Sequence, residues 1–157
     1  MSDTVVVIGG GIAGIQASLD IAEAGAKVVL VEKEATIGGI MAVLDKNFPT
    51  LDCSICIEAP KMSEVDLHPN IEILRMAEVA GLEGEPGDFK VNIRQKSGFV
   101  TDECTRCGDC TEVCPVTLPN EYDSGMAYRK AIYTPIPQSV PGAYLIDLKS
   151  CLNDPPN

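Results

Sequence analysis

Residues 4–32, TVVVIGGGIAGIQASLDIAEAGAKVVLVE, constrain the fold more than any other stretch of this 157-residue chain. Thr4 to Ile8 is a short β-branched run and reads as a buried strand. Glycines follow, and then Ile15, Leu19 and Ala22 recur at helical spacing until Gly25 stops the helix. AKVVLVE reads as a second buried strand that ends on Glu32. Strand, helix and strand in this order form a β-α-β unit. Such a crossover places the two strands parallel, which predicts an α/β fold.

The loop after the first strand is Gly9-Gly10-Gly11-Ile12-Ala13-Gly14, which fits G-x-G-x-x-G. Gly9 allows the tight turn, Gly11 lets backbone N–H groups approach a pyrophosphate, and Gly14 lets the helix pack closely on the strand. The helix N-terminus then turns its partial positive charge toward the phosphates. Glu32 closes the second strand, where a carboxylate can bind a ribose 2′-hydroxyl. The pattern therefore predicts a dinucleotide site. The next residues, in VEKEATIGG, resemble the adenosine-binding segment of the thioredoxin and glutathione reductase superfamily. That resemblance implies FAD rather than NAD, with Glu32, Lys33, Gly38, Gly39, Ile40 and Met41 joining the six loop residues at the cofactor.

At 45% hydrophobic residues the chain can bury a core. Its net charge of −11 argues against nucleic acid and against an anionic membrane surface, because both need clustered Lys and Arg. No apolar run reaches the roughly 18 residues of a membrane span. The N-terminal residues lack a basic leader and a cleavage site, so a cytoplasmic location is expected. In that reducing setting, clustered thiols bind metal or do redox work.

Farther along, Gly38-Gly39 predicts a helix running to about Asn47. CSIC follows as a loop, and a helix is expected from Pro60 to about Leu67, broken by Pro69-Asn70. Residues 71–98 read as strands, with Glu85-Pro86-Gly87-Asp88 as a reversal and Phe89, Val91 and Ile93 alternating as a half-buried strand. From Phe99 the composition changes to cysteines and then prolines. Two domains are expected: an incomplete FAD-binding domain over 1–98 and a truncated ferredoxin-like domain over 99–157.

Cys104, Cys107, Cys110 and Cys114-Pro115 fit C-x2-C-x2-C-x3-C-P, the run of bacterial ferredoxins. Three thiolates at this spacing wrap one 4Fe–4S cube, and the fourth serves a neighbouring cube. Zinc sites usually pair two C-x-x-C units across a longer spacer. Cys104, Cys107 and Cys110 therefore need a remote fourth ligand, and Cys114 needs companions. Cys151 reads as the first cysteine of a second motif, so the chain is expected to be an incomplete piece.

Cys53 and Cys56 form another C-x-x-C. They read as a redox dithiol beside a flavin, as ligands of a further cluster, or as two inert buried thiols. No basic residue or His lies directly beside them. His68 reads as a helix-end cap, Met41 and Met62 as core filler, and Lys61 as a solvated face. Arg129 and Lys130 could balance the charge of a cluster. No general base, triad or hydrolytic metal site is evident.

Taken together, VVVIGGGIAGIQASLDIAEAGAKVVLVEKEATIGGIMAVLDKNFPTLDCSICIEAPKM, HPNIEIL, CTRCGDCTEVCPV and LPNEYDSGMAYRKAIYTPIPQSVPGAYLID resemble the A subunits of heterodisulfide reductases, across essentially the whole chain. The resemblance implies a Rossmann-like, thioredoxin-reductase-type FAD domain with a ferredoxin-like 4Fe–4S domain inserted. It implies flavin-based bifurcation of electron pairs, with clusters leading to partner subunits B and C and to a hydrogenase or another electron-input module. It also implies that the heterodisulfide is reduced elsewhere in an oligomeric complex. The sequence departs from the family in starting at the flavin strand, without the extra N-terminal domain of the methanogen forms, and in stopping inside the inserted ferredoxin. The residues alone leave two other readings: a pyridine-nucleotide-dependent disulfide reductase using Cys53 and Cys56, and a non-catalytic binding fragment.

Overall fold

A computed structural model describes residues 4–101 and 103–152; the polar, Pro-rich end lies outside the described residues. The chain divides into two compact units, Met1–Lys96 and Ser97–Asn157.

The first unit is built on a three-stranded parallel sheet in the order β1-β2-β5, made of Thr4–Ile8, Lys27–Val31 and Ile71–Leu74. Thr4 pairs with Lys27 and Val28 pairs with Ile71, so β2 is central. Helix α1, Ile12–Glu23, makes the crossover and buries Ile15, Ser18, Leu19 and Ala22. These are the apolar positions of the expected helix, with Ser18 added on the same face. Ile15, Leu30, Ile37 and Met62 are fully buried, and each such side chain contributes roughly 1.5–3 kcal/mol. The expectation of two buried strands holds for β2 and fails for β1. As an edge strand β1 leaves Val5 and Ile8 exposed. A groove of about 600 Å³ runs along β1, lined by Val5, Val6, Val79, Leu82 and Phe89.

The helix expected from Gly38 to Asn47 does not form. Gly38 and Gly39 have φ of +114° and +58°, a left-handed pair that a right-handed helix cannot absorb. Only a 3-10 turn, Met41–Val43, follows. Lys46–Asn47 (β3) then pairs antiparallel with Asp52–Cys53 (β4). Helix α2 starts six residues before its expected start, spanning Ser54–Leu67 with Pro60 inside it. An interior proline costs a helix about 3 kcal/mol. Here the burial of Met62 and Val65 on the same helix offsets that cost.

Ala77–Glu85 (β6) and Asp88–Gln95 (β7) form the expected hairpin, reversing at Pro86-Gly87. Val91 and Ile93 are half-buried as their alternation requires, but Phe89 near the tip is exposed.

Among its described residues the second unit holds helix α3, Asp109–Val113, and four two-residue strands. Leu118–Pro119 (β8) pairs with Tyr128–Arg129 (β9), and Ile132–Tyr133 (β10) pairs with Leu145–Ile146 (β11). Its core is Ala131, Ile136, Val140, Ala143 and Leu145. Ser139 is buried among them and is satisfied by the backbone of Ile136, donating to its carbonyl at 2.6 Å and accepting from its N–H at 3.1 Å. Among the described residues no helix is long and apolar enough to cross a membrane.

Candidate functional site

The first candidate site lies where β1, the glycine loop and the end of β2 meet. Gly9 turns the chain with φ +99°. A Cβ on Gly14 would lie 1.9 Å from the Gly9 carbonyl oxygen, so only glycine lets α1 start this close to the loop. A Cβ on Gly11 would meet nothing within 4 Å, which leaves an open cradle beside the α1 N-terminus. Ile12 and Ala13 open the helix there.

Glu32 is buried, 6% exposed, and is anchored on both sides. Its N–H donates to the Leu74 carbonyl at 2.9 Å, and its own carbonyl accepts from Ala77 N–H at 2.8 Å. One carboxylate oxygen accepts from Gly10 N–H at 2.6 Å and the other from Glu34 N–H at 2.8 Å. These charge-assisted bonds fix the acid against the fingerprint loop. Each oxygen keeps a further lone-pair direction for a ligand hydroxyl.

The second glycine pair joins the same place. Gly38 N–H donates to the Gly10 carbonyl at 2.7 Å, and Gly38 forms a parallel bridge with Gly11. A Cβ on Gly39 would come within 3.3 Å of the Gly11 Cα. Glu32 and both glycine segments thus converge, while Ile40 is exposed and Lys33 is solvated in a 3.8 Å ion pair with Glu34. The open cradle, the exposed helix N-terminus and the tethered carboxylate fit a dinucleotide cofactor.

Helix α2 borders this region. Met62 packs against Gly38 as core. Lys61 is not simply solvated: its ammonium donates to the Gln16 side-chain oxygen on α1. Glu58 carries no signal in the sequence, yet it is fully buried and neither carboxylate oxygen has a hydrogen-bond partner. Burial pushes its carboxyl up to about 7. At the head of α2, Cys53 and Cys56 are joined as a disulfide, and the Cys53 sulfur caps the helix by accepting from Cys56 N–H at 3.3 Å. His68 caps the other end, its ring nitrogen accepting from Asn70 N–H at 3.2 Å.

The second candidate site is the cysteine run. Arg106 and Gly108 are both left-handed, with φ +59° and +90°, and they curl the chain between Cys104 and Cys110. Burial pushes the Cys110 thiol up, and the neighbouring Cys104 and Cys107 push it further. These three thiols therefore share one electrostatic environment. Cys114 lies in another. Burial opposes its ionisation, but backbone N–H groups at Val116, Ile132 and Ala131, with the Lys130 ammonium, outweigh burial and hold it below its ordinary value. Cys151 is half-buried and donates its N–H to the Asp147 carbonyl at 3.0 Å. Among the described residues no three Cys, His, Asp or Glu side chains converge as a ready metal site. The donor set and the curled loop nevertheless fit a thiophilic cluster held by three cysteines of this run.

The Lys130 ammonium favours the Cys114 thiolate, and Arg129 has acidic and aromatic partners. Arg129 binds Glu121 through two of its guanidinium nitrogens, reaches Asp147 at 3.1 Å and stacks over Tyr133 at 3.9 Å. Glu121 is held below its usual range by Arg129.

A family model described as FAD dependent oxidoreductase matches residues 4–44, the stretch that holds the first site. In particular, the chain is similar over nearly its whole length to the A subunits of heterodisulfide reductases. It is 56% identical over 147 residues to an iron–sulfur A subunit of the CoB–CoM heterodisulfide reductase of Methanopyrus kandleri, covering 93% of this chain and 22% of that protein. It is 51% identical over 153 residues to the A subunit of the "H(2):CoB-CoM heterodisulfide,ferredoxin reductase" of Methanothermobacter marburgensis, covering 97% and 23%. It is 54% identical over 155 residues to a protein of Archaeoglobus profundus described as like the A subunit of heterodisulfide reductase, covering 97% and 22%. The chain thus spans about a fifth of the length of these relatives.

Proposed function

We propose that this chain is the flavin- and cluster-binding segment of an electron-transfer subunit of the heterodisulfide reductase type. The observation that carries the reading is that one chain combines a Glu32-tethered glycine cradle with the C-x2-C-x2-C-x3-C-P run. FAD, when bound, supplies two-electron redox chemistry, and a 4Fe–4S cluster supplies one-electron steps. The chain's own residues do the binding. Gly9 to Gly14 present N–H groups and the α1 N-terminus to the pyrophosphate, and Glu32 holds the ribose. Gly38 and Gly39 keep the next segment flat against that loop, with Lys33, Ile40 and Met41 beside it. Cys104, Cys107 and Cys110 hold the cluster, and Cys114 and Cys151 belong to a neighbouring one. On this reading residues 1–98 form the flavin domain and 99–157 the start of an inserted ferredoxin-like domain.

Cys53 and Cys56 act as a redox dithiol in this proposal. Their disulfide favours that role, because an oxidised pair has no thiolates to give a metal. The name of the Methanothermobacter relative couples a heterodisulfide to ferredoxin. That pairing supports bifurcation as the task of the whole protein, with B and C subunits and a hydrogenase or another electron-input module as partners.

The test is the iron, sulfide and flavin content of anaerobically purified protein, with an EPR spectrum after dithionite reduction. Iron and sulfide in near-equal amounts with a reduced-cluster signal is expected. Flavin without iron would overturn the cluster half of the reading, and iron without flavin would overturn the other half.

A further inference from the structure

Tyr144 precedes β11 and stands between Ala143 and Leu145, both buried in the core of the second unit. Its own side chain is half-buried and turned elsewhere. The phenol oxygen lies 3.8 Å from the position a Cβ on Gly108 would take. Gly108 is the left-handed cap of α3, directly between Cys107 and the turn that carries Cys110. The hydroxyl therefore rests on the turn joining two of the run's cysteines.

Arg106 holds the segment in place. Its guanidinium donates to the Pro137 carbonyl at 2.7 Å, and its Cδ lies 2.8 Å from where a Cβ on Gly142 would sit. Residues 137–144 are thus pinned over the cysteine loop at Pro137, at Gly142 and at Gly108. Electrostatics agree with this closeness. Burial pushes the Tyr144 phenol up first, Cys110 adds to it, Arg106 opposes, and Cys104 and Cys107 contribute further. The phenol thus feels the charge of all three thiols of the loop.

We propose that Tyr144 is a positioning residue for the iron–sulfur group of Cys104, Cys107 and Cys110, donating its hydroxyl proton to a sulfur of that group. The inference rests on the cluster reading above. Hydrogen bonds to sulfur tune cluster potentials. The reduced group carries one more negative charge, so a donor stabilises it more than the oxidised form and raises the potential.

The experiment uses the full-length protein, purified anaerobically, with Tyr144→Phe. The EPR signal that Cys107→Ala abolishes identifies the group. Tyr144→Phe should leave iron and flavin content unchanged and lower the midpoint potential of that signal. The expected change is about tenfold in the one-electron equilibrium, or about 59 mV. An unchanged potential at unchanged iron content overturns the role of Tyr144 and leaves the cluster reading standing. A wild-type protein lacking iron overturns both. Should the Phe variant lose iron, Tyr144→His decides, because it retains a ring-borne donor. Recovery of iron with His supports the proposal, and loss in both variants overturns it in favour of a scaffold role.

Discussion

Glu58→Gln tests whether the buried carboxyl of α2 governs the pH dependence of stability in the first unit. The side chain is fully buried and both oxygens lack partners. Its carboxyl is pushed from the ordinary 4.5 to about 7 by burial. Below the ordinary value the group is protonated in both folded and unfolded chain and contributes nothing. Between the two values the folded chain holds a proton that the unfolded chain has released, so stability falls as pH rises. Above about 7 the penalty is complete. At 1.36 kcal/mol per unit, a shift of that size amounts to about 3 kcal/mol. Glutamine keeps the shape and removes the titration, although its amide stays unsatisfied at a cost of about 1–3 kcal/mol. Urea unfolding followed by far-UV circular dichroism at several pH values between 5 and 8 is the assay. The wild-type chain should lose stability relative to the variant across that window, by up to about 3 kcal/mol in the difference. Parallel wild-type and variant curves would refute the reasoning, because they would mean that Glu58 titrates alike in both states.

Gly14→Ala should destabilise the first unit and weaken flavin retention. Alanine adds about 1 kcal/mol of helix propensity, but its Cβ would sit 1.9 Å from the Gly9 carbonyl oxygen, a backbone atom that cannot step aside. A net loss of about 1–3 kcal/mol is expected from thermal unfolding, together with faster flavin release on dilution. Arg129→Lys should destabilise the second unit by about 1–3 kcal/mol, because an ammonium cannot reproduce the forked contact with Glu121, the Asp147 bond and the Tyr133 stack. Equal unfolding midpoints for Lys and Arg at this position would show the network to be surface decoration.

What the sequence reveals follows the range of the forces involved. The β-α-β unit is legible because strand, loop and helix signals are local and reinforce one another from Thr4 to Glu32. The hairpin at Pro86-Gly87 is legible for the same reason. The region after Gly38 misleads because glycine permits both hands of backbone, and the left-handed choice is made by contact with Gly10 and Gly11, distant in sequence. The start of α2 misleads because Pro60 looks like a helix opening. The burial of Ser54 and Met62, together with the Cys53 cap, carries the helix back past it. Lys61, Glu58, Arg106 and Tyr144 cannot be ranked from sequence at all. Each matters through a partner dozens of residues away or through burial, and neither leaves a local pattern.

The cysteine run shows how spacing becomes chemistry only through its surroundings. Cys110 and Cys114 are four positions apart, and their surroundings push the first thiol up and the second down. Burial disfavours ionising Cys110, and the neighbouring Cys104 and Cys107 add to that. Burial opposes ionisation of Cys114 too, but backbone N–H donors and Lys130 outweigh it. Metal binding requires thiolates. On the proposed reading, the three-thiol loop is therefore the part of the run whose electrostatics a bound iron–sulfur group would most improve. On the same reading Cys114, whose thiolate the N–H donors and Lys130 already favour, serves a different site.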